Sequence, residues 1–305
     1  MKHTSVLLNE AVESLNLNNN SVCVDCTLGY GGHSSLILSK IKDGHLYAFD
    51  QDAEAIENSK KRLSAIANNY TIIKDNFKNI KIDLNKYTNH VDAILFDLGV
   101  SSPQLDEDIR GFSFHKDAPL DMRMDLDNPL TAYDVVNNYE CSDLIRIFRS
   151  YGDEKYANSI ARKIVSERAN KPIETTLELV DVIKKSVPEK YSREHHPARK
   201  VFQAIRIEVN DELNVLSTAI DSSLELLTVG GRLSIITFQS LEDKIVKNKF
   251  KEVSTIPDEL KHLPIIPAEY EPKYKLVQNI VPTEEEIREN NRARSARLRV
   301  IERIK

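Results

Sequence analysis

The stretch from Val22 to Ser34, Val-Cys-Val-Asp-Cys-Thr-Leu-Gly-Tyr-Gly-Gly-His-Ser, constrains this chain more than any other. An apolar run ends in a glycine-rich turn, and the turn leads into the helical pattern Leu36-Ile37-Leu38. That order predicts a strand, a tight turn and a helix N-terminus, the opening of a βαβ unit. Glycines in such a turn let the backbone take positive φ and approach a ligand closely, and the unpaired N–H groups of the helix point into the same space. The next apolar strand, Leu46-Tyr47-Ala48-Phe49, ends in Asp50. A carboxylate at the tip of the second strand is placed to bind the two hydroxyls of a ribose. These residues predict a nucleoside-like ligand; the plainer reading is a glycine turn that binds nothing.

Nicotinamide dehydrogenases and methyltransferases both use a glycine turn followed by an acidic strand tip. The dinucleotide fingerprint wants glycine at its first, third and sixth positions. Counted from Gly29, the sixth place is Ser34, a poor fit. Asp25, at the end of the first strand, suits S-adenosylmethionine, whose ammonium and sulfonium are cationic and which carries no pyrophosphate.

Strands and helices alternate through the first hundred residues or so, with strands at Val22–Asp25, Leu46–Asp50, Tyr70–Lys74 and Ala93–Asp97 and a helix over Asp52–Ile66. This rhythm predicts a parallel sheet covered on both faces. Ala93-Ile94-Leu95-Phe96 is uninterrupted and apolar, as in a strand buried on both sides. Ligands of open α/β sheets bind at the carboxyl ends of the strands, so Asp25, Asp50, the Asp75-Asn76-Phe77 turn and Asp97 are expected to line one crevice. After Asp97 the rhythm changes. Residues 98–125 read as a long structured loop, and from Tyr133 to about Ile207 the pattern is helical. Strand character resumes at 230–238, followed by a helix over Leu241–Phe250, a strand near Lys275–Asn279 and a final one around Leu298–Arg303. The expectation is one α/β domain in two parts, 1–108 and 211–305, interrupted by a loop and all-helical insertion over 109–210.

The net charge of −5 gives no global sign of nucleic-acid binding, so any basic surface must be local. Two local clusters exist: Arg288, Arg292, Arg294, Arg297, Arg299, Arg303 and Lys305 in the tail, and Lys190, Arg193, His195, His196, Arg199, Lys200 and Arg206. Each reads as an RNA contact or as a solvated charged face. The cysteines are Cys23, Cys26 and Cys141, too few for a four-thiolate zinc site or a disulfide framework, which points to the cytoplasm and to no metal. The segment from Val6 to Leu15 reads as an amphipathic helix, neither signal peptide nor membrane span.

The run Thr27–Ser34 is joined by Ser101-Ser102-Pro103-Gln104-Leu105-Asp106, Arg110-Gly111-Phe112-Ser113-Phe114, the block Pro119–Asp125, His196-Pro197-Ala198, Gln203-Ala204-Ile205-Arg206-Ile207, Ser240-Leu241-Glu242-Asp243 and Arg294-Ser295-Ala296. With these motifs in this order, nearly end to end, the chain resembles the bacterial 16S ribosomal RNA cytosine-N4 methyltransferases, the RsmH or MraW family. The resemblance implies a Rossmann-like class I fold and S-adenosylmethionine as methyl donor. It further implies a 16S rRNA substrate within the 30S subunit, methylated on the exocyclic amine of a cytidine in the decoding region. DNA and membranes are not expected partners, and the oligomeric state stays open between monomer and homodimer. Carried over residue by residue, the cofactor contacts fall on Gly31, Gly32, His33, Asp50, Phe77, Asp97 and Gln104. Tyr30, Ala118 and Gln239 depart from the family's usual residues.

The chemistry follows from the residue types. A sulfonium methyl is already an activated electrophile, so the difficulty lies in the amine, whose lone pair is delocalised into the ring. An oxygen accepting one amine N–H favours the reactive geometry and offsets the developing positive charge. Asp97 stands at the right strand end for that catalytic role, or binds the cofactor or caps the next turn instead. DNA amine methyltransferases commonly carry an Asp or Asn, two prolines and an aromatic here, whereas this chain has Asp97-Leu98-Gly99-Val100. A cytidine must be unstacked to be reached. Phe112 and Phe114 are candidates for stacking it, or core residues. On one helix, His196, Arg199, Gln203, Arg206 and Asn210 recur at steps of three or four and share a face, which reads as substrate binding or as a buried polar network.

Overall fold

The computed structural model describes residues 5–99, 110–194, 196–263 and 266–305. Its strands are β1 Val22–Asp25, β2 His45–Asp50, β3 Tyr70–Lys74, β4 Val91–Asp97, β5 Leu227–Thr237, β6 Tyr274–Ile280 and β7 Arg297–Arg303. They form one sheet in the order β3-β2-β1-β4-β5-β7-β6. The strands β1 to β5 run parallel, while β7 is antiparallel to both β5 and β6. Helices cross from strand to strand, as parallel pairing requires. Because successive side chains point to opposite faces, each inner strand feeds two cores. Val24, Phe49, Ile94, Phe96, Leu233 and Ile235 pack on one face. Cys23, Leu46, Ala48, Ala93, Leu95 and Ile236 pack on the other. This is the doubly covered, Rossmann-like α/β sheet that the apolar run at Ala93–Phe96 foretold.

Two compact units make up the chain: Met1–Gly99 with Leu213–Lys305, and Val100–Glu212. The second has its own apolar core, built from Phe112, Leu120, Met122 and the inward faces of helices Ala132–Asn138, Cys141–Ser150, Ala157–Arg168, Thr176–Lys184 and Ala198–Asn210. Two of these start at capping boxes, Thr131 with Asp134 and Thr175 with Glu178, each satisfying orphan N–H groups reciprocally. Gly111 (φ +71°) permits the backbone at Pro119 to pass close by, since a Cβ there would lie 2.3 Å from the Pro119 carbonyl oxygen.

The structure differs from the sequence reading at one shared face. The helix carrying Arg199 begins at Ala198 with Pro197 as its cap, so His196 precedes it and does not share its face. A prolyl residue is tolerated at a helix start and rarely beyond it. The arginine-rich tail contains the expected final strand, and several of its arginines are paired within the protein. Arg297 and Arg299 belong to β7 and face Asp243, with Arg299 Nε 2.7 Å from its carboxylate. Arg303 donates to the carbonyl of Leu227, and Arg288 pairs with Glu284.

Candidate active site

The strand order reverses between β1 and β4, and the carboxyl ends at such a switch point are where open α/β sheets bind ligands. The turn after β1 is stitched to the strands on both sides. Cys26 N–H donates to the Leu95 carbonyl of β4 and Leu28 N–H to the Phe49 carbonyl of β2, each at 2.9 Å. Thr27 Oγ1 accepts from Asp97 N–H at 2.7 Å, and Gly29 N–H donates to Asp50 Oδ2 at 2.8 Å. Gly29 and Gly31 adopt φ of +49° and +71°, and Gly31 caps the helix Gly32–Lys40 in the left-handed conformation. The result is a narrow glycine shelf with Asp50 at one side and Asp97 at the other.

The three strand-end aspartates have different surroundings. Asp25 is buried and committed to the turn, accepting Ser34 Oγ–H at 2.6 Å and Thr27 N–H at 3.1 Å. It therefore braces the loop from within instead of facing a cationic ligand, and Ser34 is explained as its partner. The Asp25-Cys26-Thr27 pattern, an aspartate accepting from the N–H two residues on, was a readable signal for this. Asp50 accepts from Gly29 N–H and from Asp52 N–H at 2.9 Å, and still has lone pairs for further donors. Burial pushes its carboxyl up to about 6; the two backbone N–H groups oppose this, while Asp52 and Asp25 add to it. Asp97 has no such support. Its Oδ1 is shielded from solvent and has no hydrogen-bond partner among the described residues, and its Oδ2 lies 3.5 Å from His33 Nδ1. Burial pushes Asp97 up to about 6, opposed by His33 and assisted by Asp25.

His33 is 4% exposed, with Nε2 3.2 Å from the Val6 carbonyl. Gly32 opens the same helix, and a Cβ there would meet Ser5 Oγ at 1.9 Å. Phe77 lies in the short turn Phe77–Asn79 after β3, half-buried, its ring edge-on to Phe96 at 5.3 Å. The expected cofactor residues of the sheet unit thus fall at the carboxyl ends of β1 to β4; Gln104 lies outside the described residues. Cys23 and Cys26 pack on opposite faces of the sheet, and burial, with the charges of Asp92 and Asp25 respectively, pushes both thiols up. They are core residues held protonated. Among the described residues no cluster of metal-ligating side chains gathers.

Within the helical unit the five expected substrate residues separate. Asn210 is a clamp: its Oδ1 accepts from Met124 N–H at 2.8 Å, and its Nδ2 donates to the Met122 and Arg206 carbonyls at 2.8 and 2.9 Å. Arg206 makes a bidentate pair with Glu212, and Gln203 donates to the Tyr151 carbonyl. The block Pro119–Asp125 belongs to the same framework. Arg123 grips Asp121 through two nitrogens, and although burial works to raise the Asp121 carboxyl, the Arg123 contacts hold it below the usual range. Arg199 is exposed. His196 is half-buried and stacks on Phe114, ring centroids 4.5 Å apart, with the exposed His115 ring 5.4 Å away. Burial, with the charges of His115 and Lys184, holds His196 below the ordinary histidine value. Phe112 is a core residue, 6% exposed, and so not a stacking surface.

A seven-stranded sheet of this order with its one antiparallel strand β7, a glycine shelf after β1 and carboxylates at the ends of the flanking strands β2 and β4 fit an S-adenosylmethionine-dependent methyltransferase of class I. The chain belongs to the MraW methylase family, which matches residues 1–304. It is therefore a methylase, with S-adenosylmethionine as its methyl donor. Among solved structures it is similar to an rRNA methylase from Streptococcus thermophilus, with a TM-score of 0.45, 14% identity and coverage of 100% of this chain and 99% of that one. It is also similar to a putative methyltransferase from Streptococcus mutans in complex with SAH, with a TM-score of 0.45, 16% identity and the same coverage of 100% and 99%. Among the described residues no helix is long and apolar enough to cross a membrane.

Proposed function

We propose that this methyltransferase acts on the N4 amine of a cytidine in the decoding region of 16S rRNA, within the 30S subunit and in the cytoplasm, with Asp97 as its catalytic residue. The observation that carries the reading is Asp97 Oδ1, a shielded acceptor without a partner among the described residues, at the sheet's switch point. A buried acceptor left unsatisfied is costly, and such groups are kept where a ligand supplies the missing donor. The site also fits the methyl donor: the turn is open at Gly29, where a Cβ would meet nothing nearer than the Thr27 carbonyl oxygen at 3.9 Å, Asp50 retains acceptor capacity for ribose hydroxyls, and Phe77 offers an aromatic edge for an adenine.

Held at the glycine turn with Asp50 and Phe77, S-adenosylmethionine would supply an activated methyl group to the amine nitrogen, the electron pair of the broken carbon–sulfur bond staying on sulfur. Asp97 Oδ1 accepts one amine N–H, draws the lone pair out of conjugation and takes the proton that the positively charged nitrogen then sheds. Holding the amine in line is the other large contribution. In the helical unit, Arg199 and the Phe114–His115–His196 cluster are the groups for RNA contact, while Gln203, Arg206 and Asn210 fix the framework that presents them.

Incubation with 30S particles, free 16S RNA and DNA, followed by mass mapping, tests this. One N4-methylated cytidine in the small-subunit RNA and an unmodified DNA are expected. A methyl on ring carbon 5, on a ribose oxygen or on DNA overturns it. Asp50 carries a separate expectation. Asp50→Ala loses the charge-assisted bonds to ribose and the anchor of Gly29, so calorimetric affinity for S-adenosylmethionine falls by about 2 kcal/mol or more, roughly thirtyfold. Unchanged affinity would remove Asp50 from the cofactor site.

A further inference from the structure

We infer that the His33 ring is a positioning residue for Asp97, held by the Val6 carbonyl on one side and the Asp97 carboxylate on the other. This rests on the role proposed for Asp97. A carbonyl oxygen only accepts, so the 3.2 Å contact to Val6 requires a proton on Nε2. Nδ1 then faces Asp97 Oδ2 at 3.5 Å, and attraction between these two atoms requires a second proton in the gap. The ring is 4% exposed, and both of its nitrogens are engaged by protein.

The Val6 carbonyl is itself fixed. Leu7, in the left-handed conformation at φ +50°, opens the helix Leu8–Ser14, and its N–H donates to Glu286 Oε1 at 2.7 Å. Ser5 lies against Gly32. A segment remote in sequence from the strand end thereby holds the imidazole, and the imidazole holds Oδ2. The Asp97 backbone N–H is held in turn by Thr27 Oγ1 at 2.7 Å. With Oδ2 directed at the ring, Oδ1 is the oxygen left for an incoming donor. Among the described residues the charged groups facing Asp97 are His33 from its helix and Asp25 from β1. His33 stabilises the carboxylate and Asp25 opposes it, so the balance between them sets the pH at which Asp97 is ionised and ready to accept a proton.

His33→Asn removes the bridge while leaving a small polar side chain, and His33→Gln is the second variant should the first not fold. The first readout needs neither methyl donor nor RNA: carbon NMR titration of the Asp97 carboxyl in the ligand-free protein, its signal assigned by comparison with Asp97→Asn. Loss of His33 should move that titration to higher pH. In the loaded enzyme the acid limb of the single-turnover rate should move the same way, and kcat should fall by up to about a hundredfold because the acceptor is misplaced. Affinity for S-adenosylmethionine should stay within about threefold, well under the tenfold that 1.4 kcal/mol represents. An unmoved Asp97 titration, or a variant whose chief defect is cofactor affinity, overturns the inference. If the titration moves as expected but no cytidine N4 is methylated by the wild type, the pairing stands and the proposed reaction falls.

Discussion

Asp97→Ala should lower the single-turnover rate of methyl transfer by about a hundred- to a thousandfold, the scale seen when one preorganised group at a developing charge is removed. The fold should survive. Asp97 contributes little to stability through its side chain: Oδ1 has no partner among the described residues, and Oδ2 has one contact at 3.5 Å. Deleting a carboxylate with a shielded, unpaired oxygen commonly leaves stability unchanged or raises it, the usual exchange between stability and activity. The pH dependence has a definite sign. With its carboxyl up at about 6, Asp97 is protonated on the acid side and cannot accept the amine's proton there. The rate should therefore rise as pH increases through about 6 and then level off. Asp97→Asn keeps an oxygen acceptor but no base, so it should retain some positioning and lose the limb. Near-normal turnover in the alanine variant, with the pH profile intact, would exclude Asp97 from the chemistry.

Asn210→Ala should destabilise the helical unit by about 2–4 kcal/mol, because one substitution deletes three hydrogen bonds and strands backbone groups of the Met122–Met124 loop. The measurement is the denaturant midpoint, with RNA affinity followed on the protein that remains folded. This separates the two readings of the polar face that begins at Arg199. A residue that reads RNA would weaken binding and leave the midpoint alone. A clamp does the reverse, and the geometry is that of a clamp. An unshifted midpoint with weakened RNA binding would return Asn210 to the substrate.

The sheet was legible because its signals are local. An apolar run, a glycine turn and an acidic strand tip occur together, and β1, β3 and the carboxyl ends of β2 and β4 fall where the pattern of apolar residues puts them. The motif positions in the helical unit were harder to read. A helical period tells which residues share a face, but whether that face meets solvent, ligand or a neighbouring loop depends on partners distant in sequence. Asn210 meets Met122 and Met124, and Gln203 meets Tyr151. The tail left RNA contact and a solvated face both open, and the fold sets carboxylates against three of its arginines: Asp243, distant in sequence, faces Arg297 and Arg299, and Glu284, one helical turn away, pairs with Arg288. His33 was assigned to the cofactor from the motif that contains it, and only the fold places the Val6 carbonyl against its far nitrogen.

The pairing of β7 between β5 and β6 carries a consequence for how the chain matures on the ribosome. β6 leaves the exit tunnel before β7 but pairs only with it, so neither strand can dock until β7 emerges. Throughout synthesis of the stretch between Thr237 and Arg297, β5 presents a naked hydrogen-bonding edge, the kind of surface that recruits stray strands and seeds aggregates. A nascent chain stalled in that interval is therefore the species most in need of a chaperone.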